Sequence, residues 1–278
     1  MVAAAATRFE AVGIESAQTD AELLLAQLLD LSRAELSSQL ILGGDLTAEE
    51  AHDYEALVTR REAREPLQHI TGRAYFRNLE LQVGPGVFVP RPETELIAQL
   101  AIDALRADAT PQPIAVDLGT GSGAIALAMA TEVPNAEVFA VEKSPEAHVF
   151  TAQNFAANAP SATLVLGDLA DAFAELDGTV SVVASNPPYI PDDAIPRDPE
   201  VRDFDPQLAL YGGSDGMDVI HQVSATAARL LRPGGFLVIE HADSQSEQVR
   251  QLLLADGWRQ VRAHRDLTMR DRAVTAIK

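Results

Sequence analysis

The chain has 278 residues, 47% hydrophobic and 22% charged, the make-up of an ordinary globular protein, which excludes a disordered chain. Its 21 basic residues face 41 acidic ones, a formal net charge of −20, with the acid excess spread through both halves; such a surface does not suit a long phosphate backbone, so no nucleic-acid partner is expected. Without cysteine there is no disulfide, thiolate metal site or cysteine nucleophile, and no apolar run reaches the roughly 18 residues of a membrane span. A cytoplasmic chain is expected, with no membrane partner and no metal, since its six histidines show no ligand spacing.

The opening MVAAAATRFE lacks a basic segment before its alanines and reads as a loose terminus, not an export signal. Three capping boxes follow, Thr19 with Glu22, Ser32 with Glu35 and Thr47 with Glu50. In each, a hydroxyl accepts from the backbone three residues on while the glutamate reaches back. They predict three helices. The first shows an apolar face of Leu23, Leu24, Leu25, Leu28 and Leu29. The second shows Leu36, Leu40 and Ile41 and ends at Gly43 and Gly44. The third closes on Arg60, Arg61 and Arg64, where the dipole favours cations, and Pro66 stops it. Residues 1–73 are expected to form a small helical, substrate-binding domain.

Over 74–90 the period changes. Leu79, Leu81 and Val83 alternate with Glu80 and Gln82, Gly84-Pro85-Gly86 turns, and Val87-Phe88-Val89 is extended again, which predicts a β-hairpin linker. Across 91–278, strands are predicted at 114–118, 137–142, 163–167, 180–185, 236–240, 258–264 and 272–277. Helices are predicted around 93–107, 123–131, 145–157, 216–231 and 244–255. The alternation argues an α/β domain with a parallel sheet covered on both faces. Residues 265–271 are too few for a crossover, so the last two strands should be antiparallel. The stretch 190–215, with Pro191, Pro196, Pro199 and Pro206, reads as a long irregular loop at a strand end, where such sheets place ligands.

Two segments carry chemistry. An apolar strand runs through Asp117 into Gly119-Thr120-Gly121-Ser122-Gly123, and a helix opens behind it. The glycines allow close backbone approach and positive φ, and the helix start offers free N–H donors. Nineteen residues past Gly123 a second strand ends in Glu142, a carboxylate able to accept both ribose hydroxyls. Gly119-x-Gly121-x-x-Ala124 also satisfies a dinucleotide fingerprint, so this segment alone leaves the cofactor open. The second segment is Asn186-Pro187-Pro188-Tyr189, after the strand 180–185. Two prolines stiffen the backbone and leave their carbonyls as acceptors; the asparagine adds another, and the tyrosine a flat face. Acceptors beside an aromatic wall match a planar –NH2 group, which a dehydrogenase would not need.

With Pro90-Arg91-Pro92-Glu93-Thr94-Glu95 upstream and Leu210-Tyr211-Gly212-Gly213-Ser214-Asp215-Gly216 downstream, the chain resembles the release factor glutamine methyltransferases (the PrmC/HemK family) along essentially its whole length. The Asn-Pro-Pro-Tyr motif alone is shared with adenine-N6 DNA methyltransferases, the alternative. The resemblance implies a Rossmann-like, seven-stranded class I methyltransferase sheet with its last strand reversed. It implies S-adenosylmethionine as cofactor and, as partners, class I peptide-chain release factors, methylated on the amide nitrogen of the glutamine in a Gly-Gly-Gln motif. It assigns Gly119, Thr120, Gly121, Ser122 and Gly123 to the methionine part of the cofactor, Glu142 to the ribose, Asp168 and Leu169 to the adenine, and Asn186 to the same pocket. Leu169 departs from the aromatic residue often found there. Asn186, Pro187 and Tyr189 are the catalytic candidates, and Pro188 and Arg91 join them in substrate binding. Arg91 has a second reading, as the residue that opens a helix, and His241 is expected to be structural. The chain is expected to act as a monomer.

Overall fold

The structure is a computed structural model and describes residues 1–43 and 45–278. Gly44, expected to help end the second predicted helix, lies outside the described residues. Helices α1 (Val2–Ala11), α2 (Ala17–Leu28), α3 (Arg33–Leu42), α4 (Ala48–Glu62) and α5 (Leu67–Thr71) come first, then strands β1 (Arg73–Phe76) and β2 (Leu79–Gln82). There follow α6 (Glu95–Ala107), β3 (Ile114–Leu118), α7 (Ala124–Glu132), β4 (Glu137–Glu142), α8 (Pro145–Asn158), β5 (Thr163–Leu166) and β6 (Val180–Ser185). Two short helices, α9 (Pro199–Phe204) and α10 (Gln207–Leu210), precede α11 (Asp218–Leu230), β7 (Leu231–Glu240), α12 (Ser246–Ala255), β8 (Arg259–Arg265) and β9 (Asp271–Ile277). The chain forms two compact units, one of Met1–Arg73 with Pro196–Phe204, the other of Ala74–Ile195 with Asp205–Lys278.

In the helical unit the boxes at Ser32/Glu35 and Thr47/Glu50 form in both directions and start α3 and α4, and Gly43 ends α3 in the left-handed conformation. The third expected box does not form. The α2 helix begins at Ala17, so Thr19 is already inside it, and Glu22 is occupied by Gln18 and Arg33. The opening segment is not loose either. It is the helix α1, whose Val2, Ala5, Ala6 and Phe9 recur at helical spacing and are buried with Leu24, Leu25, Leu36, Tyr54 and Val58. Alanines let α1 lie close, and the one large side chain, Phe9, is fully buried. The apolar face expected for α3 is narrower than read: Leu36 is buried, while Leu40 and Ile41 are exposed.

Arg61 and Arg64 do more than answer a helix dipole. Arg61 is buried, donates to Asp20 at 2.8 Å and pairs with Glu200 at 2.7 Å; Arg64 reaches the same Glu200 at 3.2 Å. These pairs fasten α9 within the helical unit. The stretch 190–215 is accordingly not irregular throughout, since it carries α9 and α10.

The second unit holds one seven-stranded sheet in the order β5-β4-β3-β6-β7-β9-β8. The pairs among β5, β4, β3, β6 and β7 are parallel, and β9 runs antiparallel to both β7 and β8. The expected reversal of the last strand is therefore present. Alternate side chains feed opposite faces, as period 2 requires. Ala115, Val182, Ala184 and Val238 pack with α6 and α7 on one side, and Val116, Val183, Leu237 and Ile239 with α11 and α12 on the other. Neighbours of β3 on its two sides are β4 and β6, so the connection reverses there and opens a crevice at the strands' carboxyl ends.

The hairpin differs from its expected form. Its arms are β1 and β2, it turns at Arg77 with φ 53°, and residues 87–89 are not a strand. Val83, Val87 and Val89 instead pack on Ala147 of α8, beside Phe150. Gly84 is required there, because a Cβ would fall 2.6 Å from the Phe150 ring.

Candidate active site

The carboxyl ends of β3, β4, β5 and β6 bring together the predicted segments. After β3, Gly119, Gly121 and Gly123 adopt φ of 74°, 57° and 89°, a region open to glycine and strained for other residues. The loop is held from behind. The N–H groups of Gly119 and Thr120 both donate to the Val141 carbonyl, Thr151 Oγ1 donates to the Gly121 carbonyl, and Asn154 Nδ2 to that of Ser122. A Cβ on Gly123 would lie 2.9 Å from Phe155, so that glycine serves packing. A Cβ on Gly119 or Gly121 would meet nothing within 4 Å, so that side of the loop faces open space.

Two carboxylates border this space. Glu142 is buried and accepts from the Gly121 N–H at 2.8 Å and the Ser144 N–H at 2.7 Å. Burial raises its pKa, and those N–H groups oppose the rise. Asp117 is fully buried. Its Oδ2 accepts from Thr120 Oγ1 at 2.6 Å and from the Ala126 N–H at 3.1 Å, and its Oδ1 has no partner among the described residues. Burial pushes Asp117 up to about 7 against those two hydrogen bonds. An open glycine loop, a carboxylate locked to it and an orphaned buried oxygen fit a nucleoside-bearing cofactor. After β5, Asp168 pairs with Lys143 at 2.9 Å and accepts from the Ala170 N–H, which holds its pKa low, while Leu169 is half-buried on the core.

At the end of β6, Ser185 Oγ donates to the Leu118 carbonyl at 2.6 Å, tying this strand end to β3. Asn186 follows at once. Its Nδ2 donates to Thr94 Oγ1 at 3.3 Å, and no donor among the described residues reaches its Oδ1 or the Pro187 carbonyl. The Tyr189 carbonyl accepts from Gln245 Nε2 at 3.0 Å, and its half-buried ring packs on the core. Burial, then the nearby Glu240 carboxyl, raises the Tyr189 phenol, so it stays protonated. The glycines at 212–216 explain themselves here. A Cβ on Gly212 would sit 2.5 Å from the Pro188 carbonyl oxygen, and one on Gly216 would sit 2.2 Å from that of Tyr189. That loop is a backbone wall against the Asn-Pro-Pro-Tyr turn.

Arg91 precedes the 3-10 turn Pro92–Thr94, as its helix-opening reading requires. Its guanidinium also donates to the buried Asp205 carboxylate at 2.6 Å and stacks 4.9 Å above the Phe88 ring. His241 is buried with Nδ1 against the Ala242 carbonyl, and burial lowers its pKa, so it is a neutral ring inside the fold. Sequence reasoning named Thr94 only within a family motif, without its contact to Asn186, and passed over Asp205, Gln245 and the unpaired Asp117 oxygen. Of these only Asp117 carried a local signal, an acid ending an apolar strand just before the glycines.

The doubly wound sheet with a reversed last strand, the glycine loop at its switch point and the Asn-Pro-Pro-Tyr turn after β6 define a class I methyltransferase. Residues 1–72 match the family described as PrmC N-terminal domain, and residues 78–197 match the methyltransferase small domain. The release factor glutamine methyltransferase of Streptomyces coelicolor is 52% identical over 279 aligned residues, covering 100% of this chain and 96% of the relative. The chain therefore belongs to the release factor glutamine methyltransferase family. Another relative, the 4-amino-L-phenylalanine/4-methylamino-L-phenylalanine methyltransferase of Streptomyces pristinaespiralis, is 40% identical and covers 95% of this chain and 88% of its own. Among solved structures, a methyltransferase from Pyrococcus furiosus shares the fold with a TM-score of 0.53 at 20% identity, covering 81% of this chain and 98% of that one.

Proposed function

We propose that the chain methylates the side-chain amide nitrogen of the glutamine in the Gly-Gly-Gln motif of class I peptide-chain release factors, with S-adenosylmethionine as methyl donor. One observation carries the reading: the Asn186 amide spends its N–H on Thr94 while its oxygen and the Pro187 carbonyl remain as a pair of acceptors beside the glycine loop. When bound, S-adenosylmethionine supplies an electrophilic methyl carbon on a sulfonium. Gly119, Thr120, Gly121, Ser122 and Gly123 would hold its methionine part, Glu142 its ribose, and Asp168 with Leu169 the adenine edge. Asn186 would border the same pocket.

An amide nitrogen is a poor nucleophile because its lone pair is delocalised into the carbonyl. Accepting both amide hydrogens, on Asn186 Oδ1 and the Pro187 oxygen, turns that lone pair to one fixed direction and stabilises positive charge growing on nitrogen. The rigid prolines hold the acceptors in place without a reorganisation cost. Tyr189 covers the amide plane and keeps water out, with Pro188 as the stiff connection between them. No side chain is needed as a strong base, because the nitrogen becomes acidic only once it is methylated. Arg91, committed to Asp205, shapes the substrate side through that pair. The helical unit holds the protein substrate, and the chain acts on it as a monomer in the cytoplasm.

The acid excess argues against duplex DNA, and an adenine acceptor draws no support from the relatives. One relative is named for 4-amino-L-phenylalanine, so that amino acid is offered as a competing acceptor. The test offers three acceptors with S-adenosylmethionine: a class I release factor, its Gly-Gly-Gln glutamine→Ala variant, and 4-amino-L-phenylalanine. A methyl group found by tandem mass spectrometry on that glutamine alone supports the reading. Methylation of the free amino acid, or of the alanine variant equally, refutes it.

A further inference from the structure

Behind the Asn186 turn lies a cluster that the reaction as proposed does not use: Thr94 from the turn before α6, Glu240 at the end of β7 and Arg272 on β9, all buried, with the half-buried Glu93 preceding Thr94. Glu240 is 1% exposed, and its Oε2 meets no donor at hydrogen-bonding geometry among the described residues. The hydroxyls of Thr94 and Tyr189 and the Arg272 cation favour its ionised form, and Glu93 disfavours it. Arg272 also donates to Asp266 at 3.3 Å, and the neighbouring His241 turns Nδ1 to the Ala242 carbonyl. Burial outweighs the favourable contacts and places the Glu240 carboxyl at about 7.

Thr94 links this cluster to the rim. Its buried Oγ1 accepts from Asn186 Nδ2. A hydroxyl that accepts from an amide still has one hydrogen to give, and Glu240, which follows the β7 residue paired with Ser185 and has an unpartnered Oε2, is a buried acceptor at that same strand end. An asparagine amide can sit two ways, with oxygen and nitrogen exchanged. If the Thr94 hydroxyl pointed at Asn186, the amide would flip and offer N–H groups to an incoming –NH2.

Resting on the acceptor role given to Asn186 above, we infer that Glu240 and Thr94 are positioning residues: the carboxylate orients the Thr94 hydroxyl, and the hydroxyl fixes the Asn186 amide with its oxygen toward the substrate nitrogen. When Glu240 takes up a proton it becomes a donor to Thr94, and the orientation is lost.

The test uses the full chain with Thr94→Val, Thr94→Ser and Glu240→Gln. Thr94→Val should lower kcat about tenfold or more, the loss of one oriented hydrogen bond, with KM for the release factor and affinity for S-adenosylmethionine within about twofold. Thr94→Ser should recover kcat to within about threefold. In the wild type kcat should climb with pH through the neutral region, and Glu240→Gln should lack that limb. Thr94→Val turnover within about twofold of wild type, or a Glu240→Gln profile that keeps the limb, overturns the inference. A substrate-free arm separates it from the function above. Exchange of the Asn186 side-chain amide protons, followed by NMR, should be faster in Thr94→Val, and an unchanged rate refutes the orientation role. Failure of the wild type to methylate any release factor would refute the function and leave the exchange arm to decide this inference.

Discussion

Burial raises the Asp117 carboxyl to about 7, well above an exposed aspartate, and that sign has a consequence for stability. Between the unfolded and folded pKa values the native state holds more proton than the unfolded one, so this residue's contribution falls as pH rises through that window. Relative to Asp117→Asn, the wild type should lose about 3 kcal/mol of unfolding free energy from pH 4 to pH 7. Urea melts at several pH values measure this, and parallel curves for the two proteins would contradict it. At Gly123, φ is 89° and a Cβ would press on Phe155. Gly123→Ala should cost about 2 kcal/mol, read as a lowered urea midpoint, because strain and overpacking add. The glycine loop and the Asn-Pro-Pro-Tyr turn of the candidate site were legible in the sequence because local chemistry limits them: glycine where φ is positive, proline where no N–H is donated. Thr94 and Asp205 were not, since each owes its role to a partner far along the chain, Asn186 and Arg91.

The elements of the sheet were legible for a related reason. The strands 114–118, 137–142 and 180–185 are mostly apolar segments bounded by turn residues, and they end where the sequence places them. Elements set by tertiary packing were not. Alanines have no strong pattern, so α1 shows only once Phe9 finds the core, and Val87 and Val89 are extended but pack on α8 in place of pairing. The hydroxyl of Thr19 promises a cap that α2 overrides by starting at Ala17. The glycine loop after α10 was read as a family mark, whereas its cause is contact with the Pro188 and Tyr189 carbonyls. Gly216→Ala should therefore displace the Asn-Pro-Pro-Tyr turn and lower kcat at least tenfold while cofactor affinity, measured by calorimetry, stays within about threefold. Unchanged turnover would show that the wall does not set the turn's position.

At the scale of the molecule, the chain leaves the sheet-bearing unit after Ile195, contributes α9 to the helical unit, and returns at Asp205. Arg61 and Arg64 fasten that excursion through Glu200, and Arg61 is also the ion-pair partner of the buried Asp20. Arg61→Met should destabilise the helical unit by about 3–5 kcal/mol, because an uncompensated buried carboxylate remains. A urea transition that splits, with the helical unit melting first, is the expected result, and a single unshifted transition would contradict it. A chain built this way joins the post-turn segment covalently to both units, and the chemistry proposed for it rests on two acceptors at the end of β6. The turnover of Asn186→Ala on a class I release factor at saturating S-adenosylmethionine tests that most directly. A fall of about 10²–10³ in kcat, the cost of removing one preorganised group from a developing charge, is the predicted result, and turnover within about threefold of the wild type would contradict it.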